Sequence, residues 1–210
     1  MSKKSVKLFY DVVSPYSWIA FETLCRYRQK WSIDLIFKPF FLGAIMKESG
    51  NSPPMFVKNK ALYMYQDLQR LSKFYEIPLK TPYDLKKVMI EQGTLRAQQL
   101  VTAVQLHQSD LVEAISRELW LRIWSKREDI YEKASLKEAL LKVGLNESTS
   151  DELLNFAETR EVKDKLRSTT KEALDLKAFG SPMILVNDEN GAEHFLFGSD
   201  RMELLASIIG

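Results

Sequence analysis

At 210 residues, 45% hydrophobic and 28% charged, the chain has the make-up of an ordinary globular protein, with room for one large domain or a small domain carrying an insertion. A formal net charge of +2, with acidic and basic residues interspersed, gives no case for a nucleic-acid surface. The single cysteine, Cys25, excludes an internal disulfide and a multi-thiolate metal site, and two distant histidines, His107 and His194, argue against zinc, so no metal is expected.

Lys3, Lys4 and Lys7 make a basic start too short for an amphipathic presequence. No apolar run reaches membrane-spanning length and no secretory signal precedes the first strand, which gives an intracellular reading without membrane insertion. Residues 6–18, VKLFYDVVSPYSW, then read as a buried strand ending in a tight turn. Pro15 suits the first turn of a helix, and Trp18, Phe21, Leu24 and Tyr27 follow at helical spacing. Ser14 is thus expected where a strand ends and a helix begins, beside free N–H groups and the positive end of a helix dipole. Such a place stabilises an anion. Serine is also a leading helix cap, so Ser14 has two readings: a cap, and a hydroxyl donor to a thiolate supplied by another molecule. No histidine is spaced to make it a nucleophile.

Residues 32–39 alternate as a second strand closed by Pro39, which makes a right-handed βαβ unit with a parallel pair. Residues 43–54 read as an irregular loop around Gly50-Asn51-Ser52-Pro53-Pro54, where turn chemistry alone accounts for Asn51. From 60 to 177 the periodicity is helical almost without a break. One helix carries Leu62, Tyr65, Leu68, Leu71 and Tyr75 on one face and stops before Pro78. Others are expected at 81–89, 94–107, 109–124 (capped by Ser109 or Asp110), 135–143, 149–157 and 162–177. Trp120, Trp124, Tyr63 and Tyr65 fit a core or an interface better than a ligand box. Cys25 falls near the apolar face of the first helix as a core thiol.

Residues 183–186 form a strand, 187–191 a hairpin turn and 194–197 the returning strand. Gly198-Ser199-Asp200 opens a last helix, and Asp200 with Glu203 has the form of a capping box. The ends read β-α-β and β-β-α around a long helical middle: an α/β, thioredoxin-like domain interrupted by an all-α insertion. In that fold the turn at Ser14 carries two cysteines, here Ser14 and Ser17, and a cis-proline begins the third strand. Ser181-Pro182 stands in that place. A cis bond there turns the Ser181 backbone outward, as an edge along which a thiol peptide can lie.

The segments LFYDVVSPYSW, LCRYRQKW, SGNSPP, ALYM, SRELW, AFGSP and FGSDRMELLA, in order across nearly the whole chain, resemble the kappa-class glutathione transferases. That family is related to 2-hydroxychromene-2-carboxylate isomerase and to disulfide oxidoreductases with a helical insertion. The resemblance implies a thioredoxin-like glutathione-binding domain at 1–60 and 178–210, a helical domain at 61–177, and a homodimer. It puts the thiolate-stabilising serine at Ser14 and the glutathione contacts at Asn51, Ser181, Ser199 and Asp200, with Lys60 and Arg201 as lesser candidates. Relatives often have Leu before the cis-proline; because that contact runs through the backbone, Ser181 is expected to be tolerated.

The activity implied is attack of glutathione, as co-substrate, on a small electrophile such as an aryl halide or a peroxide. Ser14 and the helix N-terminus would favour the thiolate, the reactive form. If Ser17 rather than Ser14 faced the sulfur, Ser17 would be the sensitive position. The alternatives are a glutathione-dependent isomerase of an aromatic or chromene-type ring and a non-catalytic glutathione-binding module. Serine at both cysteine positions argues strongly against disulfide exchange, since neither can form the mixed disulfide. A mitochondrial, peroxisomal or cytosolic location fits the resemblance, and Gly210 closes the sequence without a peroxisomal tripeptide.

Overall fold

The computed structural model describes residues 4–82 and 87–210. Its sheet has four strands in the order β2-β1-β3-β4. β1 (Lys4–Tyr10) lies at the centre, parallel to β2 (Ile33–Pro39) and antiparallel to β3 (Met183–Asn187), and β4 (Glu193–Phe197) forms the far edge. Val6, Leu8, Phe9 and Tyr10 have no exposed surface, as a strand covered on both faces requires. The helix α1 (Pro15–Tyr27) connects β1 to β2, with Pro15 in its first turn.

The helical middle holds α3 (Lys58–Tyr75), α4 (Leu95–His107), α5 (Val112–Leu121), α6 (Lys133–Lys142), α7 (Glu147–Ala157) and α8 (Arg160–Asp175). It is welded to the sheet. Trp120 of α5 packs on Tyr10, Trp18 and Phe21, the Tyr10 hydroxyl meets Ser116 Oγ at 2.6 Å, and Arg117 bridges to Glu22 of α1 at 2.7 Å. One continuous cluster of buried residues runs from Val6 through Trp120 to Leu205.

Several local expectations change. The loop expected at 43–54 begins as a helix, α2 (Leu42–Ser49), closed by Gly50 at φ 71° in the left-handed region that glycine adopts without penalty. Only the stretch after it is irregular. On α3 the buried stripe is Met64 and Leu68 with half-buried Leu71 and Tyr75, while Leu62 and Tyr65 face outward. Neither Ser109 nor Asp110 caps α5; a short 3-10 turn, Ser109–Leu111, precedes it. The helix expected at 81–89 falls partly on residues 83–86, outside the described residues, as does Lys3; Lys87–Gln92 form a π-helical turn. The final helix α9 (Met202–Ile209) starts after Arg201 and has no side-chain cap, so the expected Asp200–Glu203 capping box does not form. Asp200 instead accepts from Arg201 Nη1 at 2.8 Å. Trp120 and Trp124 are core residues, whereas Tyr63 and Tyr65 are exposed.

Candidate active site

The turn after β1 and the chain entering β3 meet in a corner built from serines 14, 17 and 181. Ser14 caps α1: its backbone is extended and its Oγ accepts from the Ser17 N–H at 3.1 Å. The same hydroxyl donates to the Ser181 carbonyl at 3.1 Å. Ser14 retains 5% of its surface, whereas Ser17 has none. Ser17 therefore does not face outward; its Oγ lies 2.6 Å from Ser181 Oγ. The Ser14 carbonyl is fixed by the Trp120 indole N–H at 3.1 Å, a direct tie from the helical middle to the turn. The Ser181-Pro182 bond is cis, as the sequence pattern led us to expect.

Asn51 lies beyond α2 and uses both ends of its amide. Nδ2 donates to the Phe179 carbonyl at 2.6 Å and Oδ1 accepts from the Ser52 N–H at 2.8 Å. It thus fastens its loop to the chain leading into Ser181. Ser199 is buried and Asp200 exposed, just ahead of α9. Gly198 makes this turn possible: its φ is 101°, its N–H donates to the Pro182 carbonyl at 3.1 Å, and a Cβ there would come within 2.6 Å of Asp200 Oδ1. Among the described residues the N–H groups of Ser199 and Asp200 find no acceptor. They stand at a helix N-terminus, where a carboxylate is favoured. Lys60 is exposed in the first turn of α3, and Arg201 is held by Asp200.

Two residues that the sequence did not single out complete the corner. Asp11, three positions before Ser14, has no exposed surface. Its carboxylate accepts from the N–H of Val13 (3.0 Å), the N–H of Leu42 (3.0 Å) and the Thr94 hydroxyl (2.9 Å). Burial pushes its pKa up to about 6, and these three hydrogen bonds pull the other way. A carboxylate within the apolar run Phe9-Tyr10-Asp11-Val12-Val13 was the available signal. Gln98 of α4, also fully buried, donates to the carbonyls of Tyr10 and Phe40 at 3.0 and 2.7 Å, joining the ends of β1 and β2.

Beside the turn opens a cavity of about 250 Å³ whose walls include Val13, Phe41, Leu42, Met46, Pro53 and Thr94. None of the described residues that line it is charged. Asp11 lies directly behind this wall, holding Leu42 and Thr94 from inside. Another cavity of about 270 Å³, around Pro82, Ile123 and Tyr131, shares no residue with the corner. Cys25 is half-buried, and burial pushes its thiol up to about 12, which leaves it unreactive. No group of three or more metal-ligating side chains occurs among the described residues.

Comparison with known proteins adds independent information. The model of the DSBA-like thioredoxin domain matches residues 5–210. The chain is 46% identical over 207 residues to glutathione S-transferase kappa 1 of Homo sapiens, covering 99% of this chain and 91% of that one. It is 43% identical over 205 residues to glutathione S-transferase kappa 1 of Rattus norvegicus, covering 98% and 90%. Among solved structures, a 2-hydroxychromene-2-carboxylate isomerase superposes with a TM-score of 0.78 at 20% identity, over 97% of this chain and 93% of that one. At that identity the likeness speaks for the fold alone.

Proposed function

This chain belongs to the glutathione S-transferase kappa family, on a DSBA-like thioredoxin domain, and on that premise we propose that it ionises bound glutathione at Ser14 and directs the thiolate onto a small, uncharged electrophile. The observation that carries this reading is the Ser14 hydroxyl at the N-terminus of α1, 3.1 Å from the carbonyl that precedes the cis-proline. A cysteinyl peptide laid along Ser181 brings its sulfur to that hydroxyl. The donor then turns from the Ser181 carbonyl to the sulfur, and hydroxyl and helix dipole together favour the charged form. Asn51 shapes the groove from one side. The unpaired N–H groups at Ser199 and Asp200 take the γ-glutamyl carboxylate, and the Asp200 carboxylate takes the ammonium.

The chemistry balances simply. The thiol proton leaves to solvent, sulfur forms a bond to the electrophilic carbon, and a halide departs with the bonding pair. No covalent enzyme intermediate is involved. The neutral cavity beside Val13 accommodates the electrophile. A second copy of the chain completes the molecule, seated on the exposed apolar side chains of Phe56, Val57, Leu62 and Tyr63.

The test is conjugation of glutathione to a model aryl halide, wild type against Ser14→Ala, with binding followed by calorimetry. A hydrogen bond to a charged group contributes about 1.5–3 kcal/mol, so turnover should fall about 10- to 100-fold with binding largely kept. Full activity in the variant would refute the role of Ser14. The alternative is a glutathione-dependent isomerase of an aromatic or chromene-type ring. The described residues that line the cavity include no cation to pair with a carboxylate substrate, which opposes it. Turnover of such a carboxylate faster than of the aryl halide would reverse the order.

A further inference from the structure

Ser17 is fully buried, and the sole partner of its hydroxyl among the described residues is Ser181 Oγ, 2.6 Å away. A buried O–H left without an acceptor is unfavourable, so the Ser17 proton lies on Ser181. Ser181 Oγ also accepts from the Asp11 N–H at 3.3 Å. A hydroxyl has two acceptor positions and one proton. Both acceptor positions of Ser181 are then filled, and its own proton meets no acceptor among the described residues. The reverse arrangement, Ser181 donating to Ser17, would strand the Ser17 proton inside the protein. Ser181 is half-buried rather than enclosed, so the residue reaches the groove surface, where an incoming sulfur could take that proton. Ser14 differs, because its hydroxyl is already committed in both directions, to the Ser17 N–H and the Ser181 carbonyl. The uncommitted donor of the corner is Ser181.

We propose that the Ser181 hydroxyl is a second hydrogen-bond donor to the substrate thiolate, working beside Ser14, and that Ser17 is the positioning residue that keeps the Ser181 proton turned outward. The proposal rests on the glutathione reading above and adds a side-chain role where the backbone alone had been expected to act. Two donors spread the stabilisation of one sulfur, so loss of either leaves part of it in place.

The experiment is an ultraviolet titration of the thiolate of bound glutathione against pH, with calorimetry to establish saturation. It compares wild type with Ser181→Ala, Ser181→Thr, Ser17→Ala, Ser14→Ala and the double variant Ser14→Ala/Ser181→Ala. Ser181→Ala should raise the bound thiol's pKa by about one unit. Ser181→Thr, which keeps a hydroxyl, should titrate like wild type. Ser17→Ala should raise the pKa by less than Ser181→Ala, and the double variant by more than either of its components. A Ser181→Ala curve superimposable on wild type overturns the proposal, as does an equal rise in Ser181→Ala and Ser181→Thr, which would trace the effect to packing. Wild type that binds no glutathione, or binds it with an unshifted thiol, refutes the glutathione reading itself and this proposal with it.

Discussion

Asp11 joins three elements through one carboxylate while sitting wholly out of water. Its pKa of about 6 in the folded chain stands above the ordinary 3.8. Folding therefore takes up a proton between those values. The group's contribution to stability is fully present below about pH 4 and is lost as pH rises through about 6, by on the order of 3 kcal/mol. Asp11→Asn removes this titration. We expect the difference in unfolding free energy between wild type and Asp11→Asn to change steadily between pH 4 and 7 in denaturant melts, the wild type losing ground as pH rises. A difference that stays flat would refute the assignment. The Cys25 thiol, held up at about 12, should react with an alkylating reagent at neutral pH far more slowly than in the unfolded chain. Equal rates would mean that the thiol is open. At this scale the sequence was only partly readable. Ser14 could be placed from its neighbours alone, because strand end, proline and helix start are local signals. The Ser181 hydroxyl and the Asp11 carboxylate take their meaning from partners up to 170 positions away, which no local pattern records.

Elements were more legible than their ends. Apolar spacing located β1, β2, the hairpin of β3 and β4, and most of the helices, since burial of one face imposes a period. One misreading has a visible cause: the Asp200 side chain, suited to a cap, is captured by Arg201. The turn ahead of α9 depends on Gly198 more than on any cap. Gly198→Ala forces a side chain into a φ of 101° and against Asp200, at a cost of about 1–3 kcal/mol. The expected result is a lower melting temperature and, on the proposed function, a raised KM for glutathione with kcat less affected, because the damage falls on the proposed carboxylate anchor and not on the proposed thiolate site. A kcat loss with unchanged KM would contradict this division.

Across the whole molecule, the same buried cluster serves the sheet and the helical middle, and Trp120 links them to the Ser14 carbonyl. Trp120→Phe keeps most of the packing but deletes that N–H. Turnover should fall several-fold with the fold retained by circular dichroism, and an unchanged rate would separate the helical middle from the chemistry. The apolar side chains of Leu62 and Tyr63, 59% and 60% exposed, lie close together on α3. Replacing both with Glu should halve the mass measured by light scattering if a second copy covers them. A wild type that is already monomeric would dispose of the dimer.

The corner of serines also sets a condition on how the protein is made. Ser14 and its carbonyl partner are 167 positions apart, and the central strand gains its antiparallel neighbour only from residues 183–187. Contacts so distant in sequence are closed late and slowly. On the ribosome, the first strand must wait for its partner in residues 183–187 before its second edge is satisfied. A nascent chain halted at residue 180 has every helix of the middle yet no groove. The serine corner exists only once the third strand has been made and has docked on the first.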